Sequence, residues 1–463
     1  MGTSSRIFGA EIGTRSGATP GDIDSTTAMP DVSGVTFVGF YCEGIVESSG
    51  GGTSRVSSAD YGNNRPGRST PRHTGFINRS GGALFDAADN EAIDALMVDT
   101  VTMTARFMGF GDTPITGTPE YKMLSSVMAY DAPTTTSIAA TGAGSDFGNI
   151  PVADTSAYDI EIGDFLVRGY TGGRVTYHKV VDITAGAPGS YDVHPFMDSA
   201  TGAETLGVAG QWYAVTGNAN TTAGDFHVRV SAGGNDTDAE HGRLLPMCRL
   251  GGLSLGLEGD ALIGEWTVSS TVALVTDSSA DVNSVSERDG RVLNAGHNST
   301  VMIGPDVRGQ SAPYNAAPTY SAADRYSYDA AFEWEISNGP TDGLSVCGTV
   351  NRDVADANMT MNLAVLASAS NEGQTLKRML ANEEQRHVCV VFGPGYTPGT
   401  DTPTGGAIWA VVARTEDESA VSGNDEGALQ RDVTLTAVND APNICNASTP
   451  KAIAPFAILH PLE

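Results

Sequence analysis

The chain has 463 residues, of which 40% are hydrophobic, enough for two or three ordinary domains with sizeable cores. Its 26 basic and 55 acidic residues give a formal net charge of −29, which disfavours sequence-specific DNA binding because such binding needs a basic footprint. The 56 glycines and 22 prolines, beside only 17% charged residues, predict many turns and exclude a protein built mostly of long solvated helices.

The N-terminal region predicts an arm, a strand and a long loop. Residues 1–30 are polar and lack the apolar segment of a signal peptide, so we expect a flexible arm. A first strand is predicted at residues 34–40, GVTFVGF. Residues 45–82 carry five arginines against two acids in a strongly acidic chain. This stretch is either a solvated disordered loop or a segment that docks onto an acidic neighbour.

A half-buried strand and a short helix are predicted next. Residues 100–107, TVTMTARF, alternate between apolar and polar side chains, which is the pattern of a strand with one buried face. Residues 119–130, PEYKMLSSVMAY, place apolar residues at helical spacing, with Pro119 suited to the first turn.

The rest of the chain shows an all-β rhythm of short apolar runs separated by Gly, Pro, Asn and Asp. Strands are predicted at residues 158–167, 174–183, 211–215, 226–230, 248–257, 261–275, 300–303, 329–336, 344–350, 358–367, 388–392, 407–414 and 432–438. A second helix is predicted over about residues 373–386.

An internal repeat organises these elements. Residues 100–128 and 358–380 both read as an alternating strand, a polar connector and a short helix. With a boundary in the polar stretch 276–290, we expect a first β domain over residues 31–280 and a second over residues 285–440. A C-terminal tail is expected over residues 441–463.

The spacing of the cysteines and the positions of the tryptophans predict structural roles for both. The five cysteines are widely spaced and form no C-x-x-C pair, so free thiols are expected, with Cys347 and Cys389 buried in strands. All four tryptophans lie in strand patterns, where core or interface positions are expected; they are Trp212, Trp266, Trp334 and Trp409.

The sequence gives no positive support for a catalytic or ligand-binding motif. No lysine follows a glycine as a phosphate-binding loop requires. The G-x-S-x-G stretch of residues 252–256 places Ser254 inside an alternating strand pattern, whereas a nucleophile elbow needs a strand-to-helix turn. His241 and His297 identify no triad, and the histidines show no zinc spacing. The acidic loop 235–240 lacks the calcium-loop pattern of an EF-hand. We therefore predict no catalytic, cofactor or metal residues and no enzyme.

Several segments together resemble the tail tube (major tail) protein of long-tailed, siphovirus-type bacteriophages. They are residues 98–130; residues 160–183 leading to 191–196; residues 247–275, with CRLGGLSLGLEGD; and residues 331–438, with FEWEIS, QTLKRML, VCVVFGP, GGAIWAVVA and RDVTLTAV. These cover about two-thirds of the chain and share the order of strands, helix and turns, not residue signatures. The arginine-containing loop 45–82 and the long arm depart from the common core.

The resemblance implies a mainly β fold of tandem β-sandwich or barrel domains, each with a short packed helix. It implies a structural virion protein whose rings stack into a tail tube, assembled in the bacterial cytoplasm. Trimeric rings with pseudo-sixfold symmetry or hexameric rings both remain open. The implied partners are other copies of the chain, the tail terminator, tape measure and distal tail proteins, and double-stranded DNA passing without specific binding, with no membrane.

Two further expectations concern the tube. The acidic composition predicts a net negative lumen, which repels phosphate and lets DNA pass without sticking. The loop 45–82 or the N-terminal arm is expected to bridge stacked rings.

Three alternatives are weighed against this interpretation. One is another virion protein, such as a decoration or capsid protein, although capsid proteins usually have longer helices. Another is a secreted carbohydrate-binding or adhesin β-protein, for which no export signal is visible. The third is a hydrolase built around Ser254.

Overall fold

A computed structural model shows a mainly β protein of antiparallel strands with two short α-helices, which confirms the predicted mainly β, sandwich- or barrel-like fold. The structure describes residues 8–15, 35–48, 99–106, 117–170, 175–197, 199–214, 226–232, 243–258, 261–270, 275–276, 300–306, 325–326, 332–337, 341–344, 350–353, 358–366, 385–395, 404–418, 422–423, 429–438 and 449–461.

Within the residues described above, the first half of the chain has one α-helix and fifteen strands. Before the helix α1 (Pro119–Leu124) come β1 (Phe8–Arg15), β2 (Val35–Tyr41), β3 (Gly44–Ser48) and β4 (Asp99–Arg106). After it come β5 (Ala129–Asp131), β6 (Ser137–Ala140), β7 (Asn149–Val152), β8 (Phe165–Gly169), β9 (Val175–Thr184), β10 (Gly189–His194) and β11 (Glu204–Tyr213). Then follow β12 (Phe226–Ala232), β13 (Arg243–Glu258), β14 (Ala261–Ser270) and β15 (Val275–Thr276).

The described part of the second half adds eleven strands and one α-helix. The strands are β16 (Thr300–Asp306), β17 (Arg325–Tyr326), β18 (Phe332–Ser337), β19 (Thr341–Leu344), β20 (Val350–Asp353), β21 (Asn358–Leu366), β22 (Gln385–Gly395), β23 (Thr404–Glu418), β24 (Ser422–Gly423) and β25 (Leu429–Ala437). The C-terminal helix α2 (Pro450–Ile453) leads into β26 (Phe456–Pro461).

Two groups of seven strands follow the same pairing order. The first repeat pairs in the order β2-β1-β12-β13-β14-β4-β3. The second repeat pairs in the order β17-β16-β22-β23-β25-β21-β18. Six successive pairings therefore correspond, and β4 and β21, the strands that begin the repeat predicted from sequence, occupy the same place. This correspondence supports a duplicated unit.

One hydrophobic core collects residues from both repeats. It contains Met103 and Trp266 of the first repeat together with Met361 and Leu435 of the second, all at most 1% exposed. Apart from β19 and β20, which form a separate two-stranded sheet, the described strands of both predicted domains belong to one hydrogen-bonded sheet. The division at 280/285 stays a prediction, and of the boundary segment 276–290 only residue 276 is among the described residues.

Helix α1 begins as predicted and ends earlier. The Thr118 side chain accepts a hydrogen bond from the backbone N–H of Tyr121, and Pro119 takes the first helical position. The helix ends at Leu124, and the chain reaches strand β5 at residue 129, where the sequence predicted continued helix to residue 130. Trp212 donates to the Ser125 hydroxyl at 3.0 Å, which holds this turn in the core.

A closed six-stranded barrel is inserted between α1 and β12. Its strands pair in the cycle β6-β11-β8-β9-β10-β7, and the contact between Ala140 and Val152 closes it. The barrel has its own apolar interior, which includes Ile150, Tyr191 and Val193, each fully buried. Closure leaves this insertion without an open strand edge.

Other predicted segments also differ from the structure. Residues 8–15 of the predicted arm form β1, which pairs with β2 on one side and β12 on the other. The strand predicted at 158–167 begins only at Phe165, because the preceding residues form a 3₁₀ helix at 155–157, capped by the Asp154 carboxylate, followed by turns. Part of the predicted C-terminal tail forms α2 and β26.

The second predicted helix, over residues 373–386, lies mostly outside the described residues, and its last two residues begin β22. The loop 45–82 lies outside them except for residues 45–48, which belong to β3.

Candidate assembly surface

A polar sheet face lies opposite the hydrophobic core. On β4, Val101, Met103 and Ala105 are buried, whereas the alternating threonines are partly exposed, as the sequence predicted. On β13, Leu253 and Leu255 enter the core while Ser254 between them is partly exposed. The same alternation therefore gives several neighbouring strands one apolar and one polar face.

Rows of paired positions on this face run across both repeats. One register row crosses six strands and contains Thr104, Glu265, Ser254, Glu335, Thr360 and Thr436. The next contains Arg106, Ile263, Gly256, Glu333, Asn362 and Thr434. The two repeats thus present one shared face.

By strand register, the positions on this face hold more acids than bases. On its register positions in β4, β13 from Cys248 onward, β14, β18, β21 and β25 there are five acids, at 258, 265, 333, 335 and 432, against arginines at 106 and 249. Arg106 is in turn ion-paired, since its Nε donates to Glu43 at 2.6 Å. This surface would repel a polyanion more than attract it.

The two repeats join through a strand pair inside the chain. The second half of β13 pairs with β18 from Gly252 opposite Ser337 to Gly256 opposite Glu333. The first half of β13 instead pairs with β12, so β13 exchanges neighbours along its length. The resulting order across the joint is β3-β4-β14-β13-β18-β21-β25-β23.

The joint is head-to-tail and could repeat. β18 occupies in the second repeat the place that β3 has in the first, and β23 occupies the place of β13. Among the described residues, β3 pairs only with β4, and Thr415–Glu418 of β23 pair only with β25. The two open strands at the ends of the sheet therefore correspond to the two strands that pair at the internal joint. Strand β3 corresponds to β18, and β23 corresponds to β13.

The open edge of β3 carries one exposed apolar side chain. Val46 is 65% exposed. It is the only large hydrophobic side chain that is exposed among the described residues. It lies opposite Thr102 on the polar face. A strand added beside β3 would cover part of this side chain.

The structure places several of the residues that the sequence singled out. Ser254 lies in mid-strand between Glu265 and Glu335, as predicted, and not at a strand-to-helix turn. His241, His297 and the acidic loop 235–240 lie outside the described residues. Cys389 is a buried free thiol, which confirms that prediction, whereas Cys347 lies outside the described ranges.

All four tryptophans lie in strands, as predicted; they occupy β11, β14, β18 and β23. Trp212 and Trp266 are core residues, at 0% and 1% exposure.

The inserted barrel packs on the second repeat. Val388 and Val390 of β22 face the main core, while Cys389 and Val391 between them pack with barrel residues such as Tyr177. Strand β22 is therefore buried on both faces. This contact was not visible in the sequence, although the nearly continuous apolar run VCVVF at 388–392 is the signal for a strand of this kind.

The C-terminal segment ties these parts together. Strand β26 pairs with β11 of the barrel on one side and with β23 on the other. The ammonium of Lys451 lies 2.6 Å from Asp131 and 2.8 Å from the buried Asp164. Burial alone would lower the pKa of Lys451, but the charge of Asp164 and hydrogen bonds to both carboxylates raise it.

Two buried histidines meet where the barrel contacts the second repeat. The rings of His194 and His387 stack with centroids 5.0 Å apart, and both side chains are fully buried. Burial lowers the pKa of His194 to about 3. Burial, and then the charges of His194 and Lys179, lower the pKa of His387 well below its ordinary value.

Two kinds of feature are absent from the part of the chain that the structure describes. None of the helices within the described ranges has the length and apolar composition that a membrane crossing requires. In the same part of the chain, no group of three or more His, Cys, Asp or Glu side chains is placed to hold a metal ion.

In comparisons with known proteins, no family model matches the chain and no curated protein matches it.

Proposed function

We propose that this chain is a structural virion protein that assembles into stacked rings, forming the tail tube of a long-tailed phage. The observation that supports this most is the head-to-tail joint between β13 and β18. A joint that links one repeat to the next within a chain can also link one chain to the next, and a heterologous contact that closes produces a ring.

The two open sheet edges, on β3 and on β23, are where this contact between copies would form. In this proposal β3 of one copy adds to Thr415–Glu418 of the β23 in the next copy, as β18 adds to β13. Joining the edges removes open strands that would otherwise invite uncontrolled pairing. With two repeats in each chain, a ring of three copies would have pseudo-sixfold symmetry, and a ring of six copies is the alternative.

The polar face would then line the channel. Its threonines, serine and excess of acids would neither bind bases nor hold phosphates. Double-stranded DNA could pass without sticking, and the subunit would perform no catalysis. The tail terminator, tape measure and distal tail proteins would be the partners at the ends and inside of the tube.

Negative-stain electron microscopy of the purified chain over a range of concentrations tests the proposal. We expect rings or tubes with a central hole. Val46→Asp should abolish them, because it replaces an exposed apolar side chain on the free edge with a charge. Its thermal stability should change little, since the side chain is 65% exposed.

Thr184→Asp is the matched control, because it adds the same charge at an exposed position of the inserted barrel. Rings should persist in that variant. A wild-type chain that stays monomeric at every concentration would overturn the proposed function, and rings formed equally well by Val46→Asp would overturn the choice of edge.

A further inference from the structure

The inserted barrel meets the second repeat through an apolar contact. Tyr177 of the barrel packs there with Cys389 and Met302 of the second repeat, and all three are at most 1% exposed. Burial raises the pKa of Tyr177 and of Cys389, so neither side chain titrates in acid. The interior of the barrel is a separate apolar cluster whose residues all lie in the insertion. The contact can therefore open without unfolding either part.

The stacked histidine pair lies in this contact, with one ring from each side. His194 belongs to β10 of the barrel and His387 to β22 of the second repeat, and their ring centroids are 5.0 Å apart. Beside them, Pro195 lies so close to Gly304 of β16 that a Cβ atom added to Gly304 would be 3.4 Å from the Pro195 Cβ. Protonation of both rings would place two positive charges next to each other where burial keeps water from screening them.

The neighbouring charged and titratable groups are basic. Lys179 of β9 is buried and donates to a backbone carbonyl of α2 at 2.7 Å. Arg386 of β22 is buried beside His387 and donates to a backbone carbonyl of β16 at 3.0 Å. The two ring nitrogens of His178 are hydrogen-bonded within the insertion, each at 2.7 Å. The charges that act on the pKa of His387 are those of His194 and Lys179, and both oppose its protonation.

We propose that this contact is an acid-operated switch, in which protonation of His194 and His387 separates the barrel from β22 while both parts stay folded. Opening would expose Cys389 and Val391, which the barrel covers when the contact is closed. Strand β26 would be the hinge, because its backbone hydrogen bonds to β11 and β23 do not titrate. On the hinge side, burial raises the pKa of Asp164, so the closed protein binds this proton more readily than a solvated carboxyl does and acid does not favour opening there. The switch does not depend on ring assembly.

Proton linkage sets the size of the effect. Both histidines stay neutral at pH 5.0 in the closed contact, whereas a solvated histidine titrates near pH 6.5. The open form therefore binds protons that the closed form does not, and acid favours opening. Between pH 7.5 and 5.0 each histidine should raise the ratio of open to closed protein about 30-fold, and the pair about 1,000-fold.

Labelling of the Cys389 thiol measures the opening. A pyridyl disulfide reagent that reacts with thiols in acid is used at both pH values, rates are corrected against a model thiol, and labelled peptides are identified by mass spectrometry. Cys42 and Cys248 are buried free thiols of the main core and report global unfolding. We expect Cys389 to label about 1,000 times faster at pH 5.0 than at pH 7.5, with Cys42 and Cys248 still protected. Simultaneous labelling of all three cysteines would overturn the inference, because the chain would then unfold as a whole.

Glutamine variants assign the switch to the two histidines. His194→Gln and His387→Gln each keep a neutral polar side chain and should each lower the ratio of labelling rates to about 30-fold, and the double variant should lower it to about 1. Because the ratio is taken within each protein, a change in opening at neutral pH cancels. A double variant that retains the wild-type ratio would overturn the inference, as would a wild-type Cys389 that stays protected at pH 5.0.

Gly304→Val is the matched control, because it loosens the same contact without changing a titratable group. The added side chain would press on Pro195. Cys389 should then label faster already at pH 7.5, and its further rise in acid should persist. Unchanged labelling of Cys389 at pH 7.5 would show that this contact does not protect the thiol, and the inference would be overturned.

Discussion

Two buried histidines make the contact between the barrel and the second repeat sensitive to acid. His194 and His387 are held neutral by burial, with Lys179 also opposing protonation of His387. In the unfolded chain both would titrate near pH 6.5. Below that pH these histidines bind protons in the unfolded state but not in the folded state. Folding stability therefore falls as the pH drops from about 6.5 toward 3.

The expected size of this effect is about 1.4 kcal/mol per pH unit for each histidine across that window. Thermal unfolding between pH 7.5 and 4.5 measures it. A His194→Phe/His387→Phe double variant should show a shallower decline than wild type. Parallel curves for the double variant and wild type would show that these two histidines do not govern acid stability.

The Lys451 ammonium is the second residue on which a prediction rests. Replacing it by Met leaves Asp164, which is only 1% exposed, without its cation, and we expect a loss of about 3 kcal/mol in the free energy of unfolding. Lys451→Met with Asp164→Asn should recover much of that loss, because no charge is then stranded in the interior. Chemical denaturation of the three proteins measures it; equal losses in both variants would mean that the ion pair is not the cause.

At the scale of elements, β26 is the strand that connects the inserted barrel to the second repeat. Removing residues 449–461 should expose the edges of β11 and β23 that pair with it. Strands β9 and β10 should stay protected, since the barrel closes without β26. Hydrogen exchange with mass spectrometry would show this as faster exchange confined to β11, β23 and their neighbours; uniform loss of protection would show that the barrel does not fold without the C-terminal strand.

Elements with a local pattern could be predicted from the sequence. The alternation in β4 and the Thr118–Pro119 start of α1 are properties of neighbouring residues, and both predictions are confirmed. Strand β26 is apolar enough to be a strand, but it follows a Pro- and Asn-rich stretch and was predicted as tail. Strand β1 lies within a polar segment and is held by partners 20 and more residues away.

The site itself was only partly predictable. The sequence predicted acidic character, because this follows from composition. It could not identify β3 and β23 as the edges, since that depends on β13 exchanging β12 for β18 in mid-strand. Pairing between strands about 80 residues apart leaves no local signal.

At the scale of the whole molecule, tube length is predicted to depend on the arginine-containing loop. The loop 45–82 is the basic stretch of an acidic chain, and an acidic neighbouring ring is the partner it fits. Deleting residues 50–80 should leave single rings and abolish long tubes in electron micrographs. Normal tubes from the deleted chain would show that the loop does not bridge rings.

The central claim is that the strand edges of one copy are completed by another copy. A photoreactive amino acid placed at Val46, on a mixture of ¹⁴N- and ¹⁵N-labelled chains, tests this by mass spectrometry of the cross-linked peptides. We expect mixed-isotope links from β3 to the peptide containing Thr415–Glu418 of a different copy. Links found only within one chain, or only to surfaces other than β23, would contradict it.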